Sequence, residues 1–251
     1  MTVKLKDGLK TLAVVILLIA VWYMLSKAGV FPEIVFPSPG RVWNAFLSML
    51  ASGELIQNTL VSFGRVILGF AVSFILAFAF GVTATAFPKL DPYYRPILEF
   101  LRHIPPLALV PIMILWFGIG EASKIIVIVL TAFFPIFLNT EAGLKGCDRG
   151  LLEVGDTLGM TEFQKFFEIR LPAAVPGILV GMQLGFGYSW RAIVGAEMIA
   201  AASGLGYMIL DAQALSRCDK VIVGIIVIGA LGLAIDAVFK RIIRKLSFRE
   251  E

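Results

Sequence analysis

Charge is scarce in this 251-residue sequence: Asp, Glu, Lys and Arg together make up 16% of it, against about 25% in ordinary soluble domains. A water-facing surface of normal composition is thereby excluded. Cysteine occurs only at Cys147 and Cys218, too sparse and too widely spaced for a disulfide framework or a thiolate metal site. Histidine occurs once, at His103; one His without a second ligand makes no metal site, and it reads as structural. No Gly-Lys dipeptide exists anywhere, which rules out a phosphate-cradling Gly-x4-Gly-Lys-Ser/Thr loop. A chain of this kind cannot hydrolyse ATP through such a loop of its own.

What is abundant is apolar: 59% of the residues are hydrophobic, gathered into long runs with few charges. A hydrocarbon core about 30 Å thick needs ~20 residues of helix, and the runs at 11–26, 59–87, 103–120, 125–140, 171–198 and 221–239 predict six spans. The fold class is therefore an all-α integral membrane protein, a single domain over 1–251. The first run follows Lys4, Lys6 and Lys10 like a secretory signal, but no small-x-small cleavage site follows it and further spans do, so it reads as a retained helix. Ser38 and Pro39 read as the N-cap and first residue of a short helix. Trp43, Phe46, Leu47 and Leu50 then recur at helical spacing, which predicts a helix lying along the membrane surface. Pro105, Pro106 and Pro111 fall in the third run, so that span should be kinked and packed against protein.

Six spans put both termini on one side. That side carries fifteen Lys and Arg and the other five, with Arg65 and Arg191 inside spans. The positive-inside rule makes both termini and the 141–170 loop cytoplasmic. This loop holds ten charged residues in thirty, twice the density of the whole chain. Its wording is Glu153-Val154-Gly155, then Gly159-Met160-Thr161, then Ile169 and Leu171-Pro172.

At these residues the chain resembles the permeases of binding-protein-dependent ABC importers, whose cytoplasmic loop carries a Glu-Ala-Ala, Gly, Ile, Leu-Pro pattern at the same intervals. The departure is Val154-Gly155 where Ala-Ala is expected. The resemblance implies a type I importer permease of the cytoplasmic (inner) membrane of a prokaryote. It also implies two short helices broken at Gly159, where glycine turns without a Cβ penalty. The second rests in a cleft of an ATPase. On this reading Glu153, Val154, Gly155, Gly159, Met160, Thr161, Ile169, Leu171 and Pro172 couple the permease to its motor. Two cytoplasmic ATPase subunits would bind the ATP and Mg; this chain would hold no cofactor and no catalytic residue. A second permease copy, membrane lipid and an extracytoplasmic substrate-binding protein complete the implied partners, with no nucleic acid. Further stretches, Phe36 to Pro39, Ser62 to Gly69, Ile104 to Ala108, Trp116 to Gly120 and Gly195 to Gly206, are similar to the branch importing nitrate, bicarbonate, taurine and other sulfonates, and some aromatic or pyrimidine compounds.

Residues for the path follow from cost. Charges at membrane depth are functional candidates, which singles out Arg65, Arg191 and Glu197. Arg191 and Glu197 stand six residues apart, about 600° of helical rotation, and so face different ways. The arginines fit either an anion-binding role or a structural one, as ion pairs or snorkelling side chains. Gly177, Gly181 and Gly185 form a smooth ridge for close helix packing, and Gly181 and Gly185 are also candidates for the path. A stand-alone channel and an intramembrane enzyme are the rival classes; the first needs no such loop, and the second needs a constellation that the spans do not offer.

Overall fold

The computed structural model describes residues 2–29 and 31–247. Both ends of the chain, whose side of the membrane the charge count assigns, lie outside the described residues. Helix α1 covers Thr2–Lys27, α2 Pro39–Ala51 and α3 Glu54–Ala86. Helices α4 (Asp91–Arg102) and α5 (Val110–Phe117) follow, then α6 (Glu121–Lys145). The charged loop contains α7 (Arg149–Thr157) and α8 (Glu162–Lys165). After it come α9 (Leu171–Ala200), α10 (Leu205–Ala214) and α11 (Cys218–Ser247). The segments Glu54–Ala86, Glu121–Lys145, Glu162–Ala200 and Cys218–Lys245 are each long and apolar enough to cross a membrane. Leu12–Lys27 is a shorter apolar helix.

Helix α2 starts where its cap predicts. Ser38 is extended and its Oγ accepts from the Arg41 N–H at 3.4 Å, with Pro39 in the first turn. Val42, Ala45 and Met49 anchor α2 to the core, while Trp43, Leu47 and Leu50 face outward. The apolar residues that predicted a surface helix are thus mostly on its outer side.

The centre of the fold is α6, clasped between α3 and α9. A Cβ on Gly69 would stand 2.7 Å from Ile128, and one on Gly81 2.9 Å from Thr140. The contact advances equally on both helices, so α3 and α6 run parallel. Parallel neighbours oblige the chain to cross back between them, and it does so in a broken piece: Pro88–Arg102 and Pro106–Phe117 meet at 87°. The single kinked helix expected over 103–120 is corrected here. Pro105 and Pro106 cannot donate backbone hydrogen bonds, and they separate α4 from an α5 of only 8 residues.

Two further boundaries differ from the sequence reading. Glu141, expected in the aqueous loop, is buried in the last turns of α6, paired with Arg95 at 2.8 Å and Lys145 at 2.7 Å. The stretch between the fifth and sixth apolar runs folds as α10, whose Leu205, Met208 and Ile209 are buried.

Candidate functional site

The charged loop is a compact helix-turn-helix. Asp148 starts α7 by accepting from the Gly150 N–H at 2.7 Å. The α7 helix ends at Gly159, whose φ of +72° lies in the left-handed region that glycine enters without a Cβ penalty. The Met160 N–H closes the turn on the Gly155 carbonyl at 3.0 Å. Thr161 and Gln164 then form a reciprocal capping box that starts α8, a sequence device that satisfies two orphan donors at once.

Gly155, which stands where alanine is expected, lies buried between the two short helices. A Cβ there would stand 3.0 Å from Ile169 and 3.1 Å from the Lys165 stem, so that both side chains would have to give by a few tenths of an ångström to admit it. Lys165 crosses from α8 to ion-pair with Asp156 on α7, and with Glu162 at 2.5 Å on its own helix. A wide helical turn over Phe166–Arg170 carries the loop into α9, which opens with Leu171 and Pro172. Despite the loop's charge, Leu158 and Phe163 are 73% and 72% exposed, and Leu151, Val154 and Phe167 are also exposed. Glu153 lies beside them on the solvent side of α7. An apolar patch on a segment with twice the chain's charge density is a surface shaped for contact.

At the opposite end of the bundle lies a buried ionic lock. Arg65 on α3 grips Glu121 at the start of α6 with two bonds of 2.6 and 2.7 Å, and reaches Glu197 on α9 at 2.7 Å. It also donates to the Ser203 carbonyl at 2.7 Å and Ser203 Oγ at 3.1 Å. Glu197 is fully buried, accepting from Ser62 Oγ at 2.8 Å and the Gly206 N–H at 3.0 Å. A Cβ on Gly204, where φ is +113°, would overlap the Glu197 carboxylate at 2.3 Å. The turn from α9 to α10 is thus wrapped around one carboxylate, and three apolar helices are tied by one guanidinium.

Arg191 is different. It is exposed, its Nε donates back to the Gly187 carbonyl at 3.1 Å, and its guanidinium lies 5.3 Å from the centre of the Tyr188 ring. Among the described residues it has no carboxylate partner. It borders a groove of about 510 Å³ between α9 and α11, lined also by Gln183, Leu184, Gly187, Ile228 and Asp236. Gly181 and Gly185 are on another face of α9, pressed on α6: a Cβ would meet the Pro135 carbonyl at 2.9 Å and Ile136 at 3.0 Å respectively.

Comparison with known proteins agrees with this architecture. Residues 73–248 match the family described as binding-protein-dependent transport system inner membrane component. The chain belongs to this family. The putative aliphatic sulfonates transport permease protein SsuC of Bacillus subtilis is 38% identical, over 95% of this chain and 86% of that protein. The taurine transport system permease protein TauC of Escherichia coli is 31% identical, over 94% and 87%. Among solved structures, an inward-facing MetNI methionine ABC transporter superposes with a TM-score of 0.69 at 18% identity, covering 78% of this chain and 97% of that one.

This permease therefore has three separate polar features, of which the sequence located parts. The loop residues from Glu153 to Pro172 come together as one unit. Arg65 and Glu197, read separately in sequence, are partners of each other, while Arg191 and Glu197 do not meet. Glu121, Ser62 and Ser203 went unread because single polar residues at span ends are common. Asp236 went unread although it is an acidic residue inside the sixth apolar run, the same signal that singled out Arg191. It accepts from Gln183 and pairs with Lys240 at 2.6 Å.

Proposed function

We propose that this permease passes a small polar anion, a sulfonate or related oxyanion, inward by ATP-driven alternating access. One observation carries the choice of an anion: Arg191 stands within a membrane helix, beside an open groove, without a carboxylate partner. An uncompensated guanidinium at that depth lowers the desolvation barrier of a negative cargo. The names of the relatives, which include sulfonate and taurine transport permeases, support the same class.

The rest of the assembly is carried over from the family, and the exposed loop supports it. Two ATPase subunits, binding ATP and Mg, dock on the apolar patch of α7 and α8; two copies of the permease form the path; an extracytoplasmic protein delivers the cargo. Closure of the ATPases on ATP brings the two loops together and opens the path outward, and hydrolysis resets it inward. The permease sits in the inner membrane with both termini in the cytoplasm and performs no chemistry itself.

The test is transport by the complete complex in proteoliposomes, with its ATPase and binding protein. Uptake of a sulfonate or oxyanion coupled to ATP hydrolysis is expected. A binding protein that proves specific for a neutral or pyrimidine compound refutes the anion class and leaves the permease assignment standing. Ion flux through the permease alone would indicate a channel instead.

A further inference from the structure

The groove between α9 and α11 combines features that belong together only if something other than this chain fills it. Arg191 is held from below by its own helix and from one side by Tyr188. The guanidinium is planar, so with Nε on the Gly187 carbonyl its two terminal nitrogens keep donors to spare. Such a fork suits the paired oxygens of a sulfonate, carboxylate or phosphate head. Arg65, the other arginine within the spans, is the contrast: its donors are spent on Glu121, Glu197 and Ser203.

The far end of the groove is electrostatically quiet. Asp236 would repel an anion, but Lys240 pairs with it at 2.6 Å and Gln183 donates to it. Gln183 and Arg191 are eight residues apart, which at 1.5 Å per residue places them about 12 Å apart along α9. Between them the wall is apolar, made by Leu184, Ile228 and Leu233. An anion-binding end, an apolar wall and a neutralised far end describe a site for an anion with a short organic tail.

Two glycines line this wall without being needed by the packing of the chain. A Cβ on Gly229 would have nothing within 4 Å, and one on Gly187 would meet only an Arg191 terminal nitrogen at 3.8 Å. Neither has the positive φ that would call for glycine. In mid-helix glycine is less favourable than alanine. Gly181 and Gly185, by contrast, are pressed against α6 at 3.0 Å or less.

We infer that this groove is where the cargo rests on the permease, with Arg191 holding the anionic head, Tyr188 positioning that guanidinium, and Gly187 and Gly229 leaving room for the tail. The inference rests on the anion-importer reading and adds to it a site and a size limit. Cargo is bound weakly here, since a permeating site has to release what it holds. The side chain placed at 229 sets the longest tail that passes.

The experiment uses the complete complex in proteoliposomes and compares methanesulfonate with hexanesulfonate for the unmutated permease and for Gly229→Ala and Gly229→Val. Gly229→Val is expected to lower the hexanesulfonate rate relative to the methanesulfonate rate by about tenfold or more, the discrimination that a methylene or two carries in an apolar pocket. Gly229→Ala should fall between. An unchanged ratio in both variants, with the unmutated complex transporting both sulfonates, overturns the site and leaves the anion reading intact. Loss of the paired permease on purification of both variants assigns the groove to the contact between copies, and likewise overturns it. If the unmutated complex carries no sulfonate or oxyanion at all, the anion reading fails first and the inference with it.

Discussion

Replacing Arg65 with Gln removes the cation on which Glu121 and Glu197 converge. Glu197 is left fully buried with only the Ser62 hydroxyl and the Gly206 N–H. Glu121 keeps Lys124 at 3.1 Å but loses both of its bonds to the guanidinium. Removing one partner of a buried pair costs about 3–5 kcal/mol, because an uncompensated charge stays behind. That is the expected loss of stability for Arg65→Gln, measured by unfolding the purified permease in mixed micelles. Adding Glu197→Gln should restore roughly half of it, since the amide oxygen still accepts from Ser62 and Gly206 while the stranded charge is gone. Glu197→Gln alone should cost less than Arg65→Gln, because Arg65 keeps Glu121. In the Arg65→Gln variant the turn over 201–204 should also become a site of proteolysis. A loss below about 1 kcal/mol, the range of solvent-exposed pairs, would refute the reasoning, and so would a double variant less stable than Arg65→Gln.

Other outcomes follow from the same geometry. Gly159→Trp and Glu153→Lys are expected to insert and express normally yet lose transport, the first by straining a left-handed turn and filling the docking surface, the second by reversing a charge there; normal substrate-stimulated ATP hydrolysis in both would count against docking. Gly181→Val should cost about 1–3 kcal/mol by forcing α9 from α6, since even a Cβ would stand 2.9 Å from the Pro135 carbonyl; micelle unfolding checks it. Arg191→Gln should lower the maximal transport rate with little change in apparent affinity, and Arg191→Lys should be intermediate, because the charge stays and the fork is lost. An impermeant thiol reagent outside intact cells should reach Cys218 but not Cys147; labelling of Cys147 would contradict the topology.

Much of this was legible in the sequence because membranes write strong signals. The apolar runs located the long helices, and Ser38-Pro39 located the start of α2 to the residue. The loop from Glu153 to Pro172 was legible because its charge density and the spacing of its motif are local in sequence, and Gly159 takes the left-handed turn expected of it; the capping box of Thr161 and Gln164 went unread. The broken crossing was only half legible: the prolines announced a kink, but an 87° bend depends on α3 and α6 running parallel, which no local pattern encodes. Ion pairing was the least legible. Arg65 stands 132 residues from Glu197 and 56 from Glu121, and intramembrane charges say that a partner is needed without saying which. Glu141 misled for the same reason: its charge density belongs to the loop, while its burial comes from Arg95 across the fold.

The shortness of α5 has a consequence for how the chain enters the bilayer. Eight residues of helix extend about 12 Å, far less than the ~30 Å hydrocarbon layer, and the unpaired backbone groups at the two ends of so short a helix are ones that lipid cannot satisfy. The protein surface that shelters α5 is made by α6 and α9: Val110 packs in a cluster with Val127, Ala192 and Ala196. Those residues are synthesised later. The broken crossing thus cannot settle in lipid as it leaves the ribosome; it waits at the membrane surface or inside the insertion machinery until α6, and then α9, supply its walls. A chain ending after residue 120 is therefore expected to leave 103–120 open to impermeant reagents, whereas a chain ending after residue 200 should protect it.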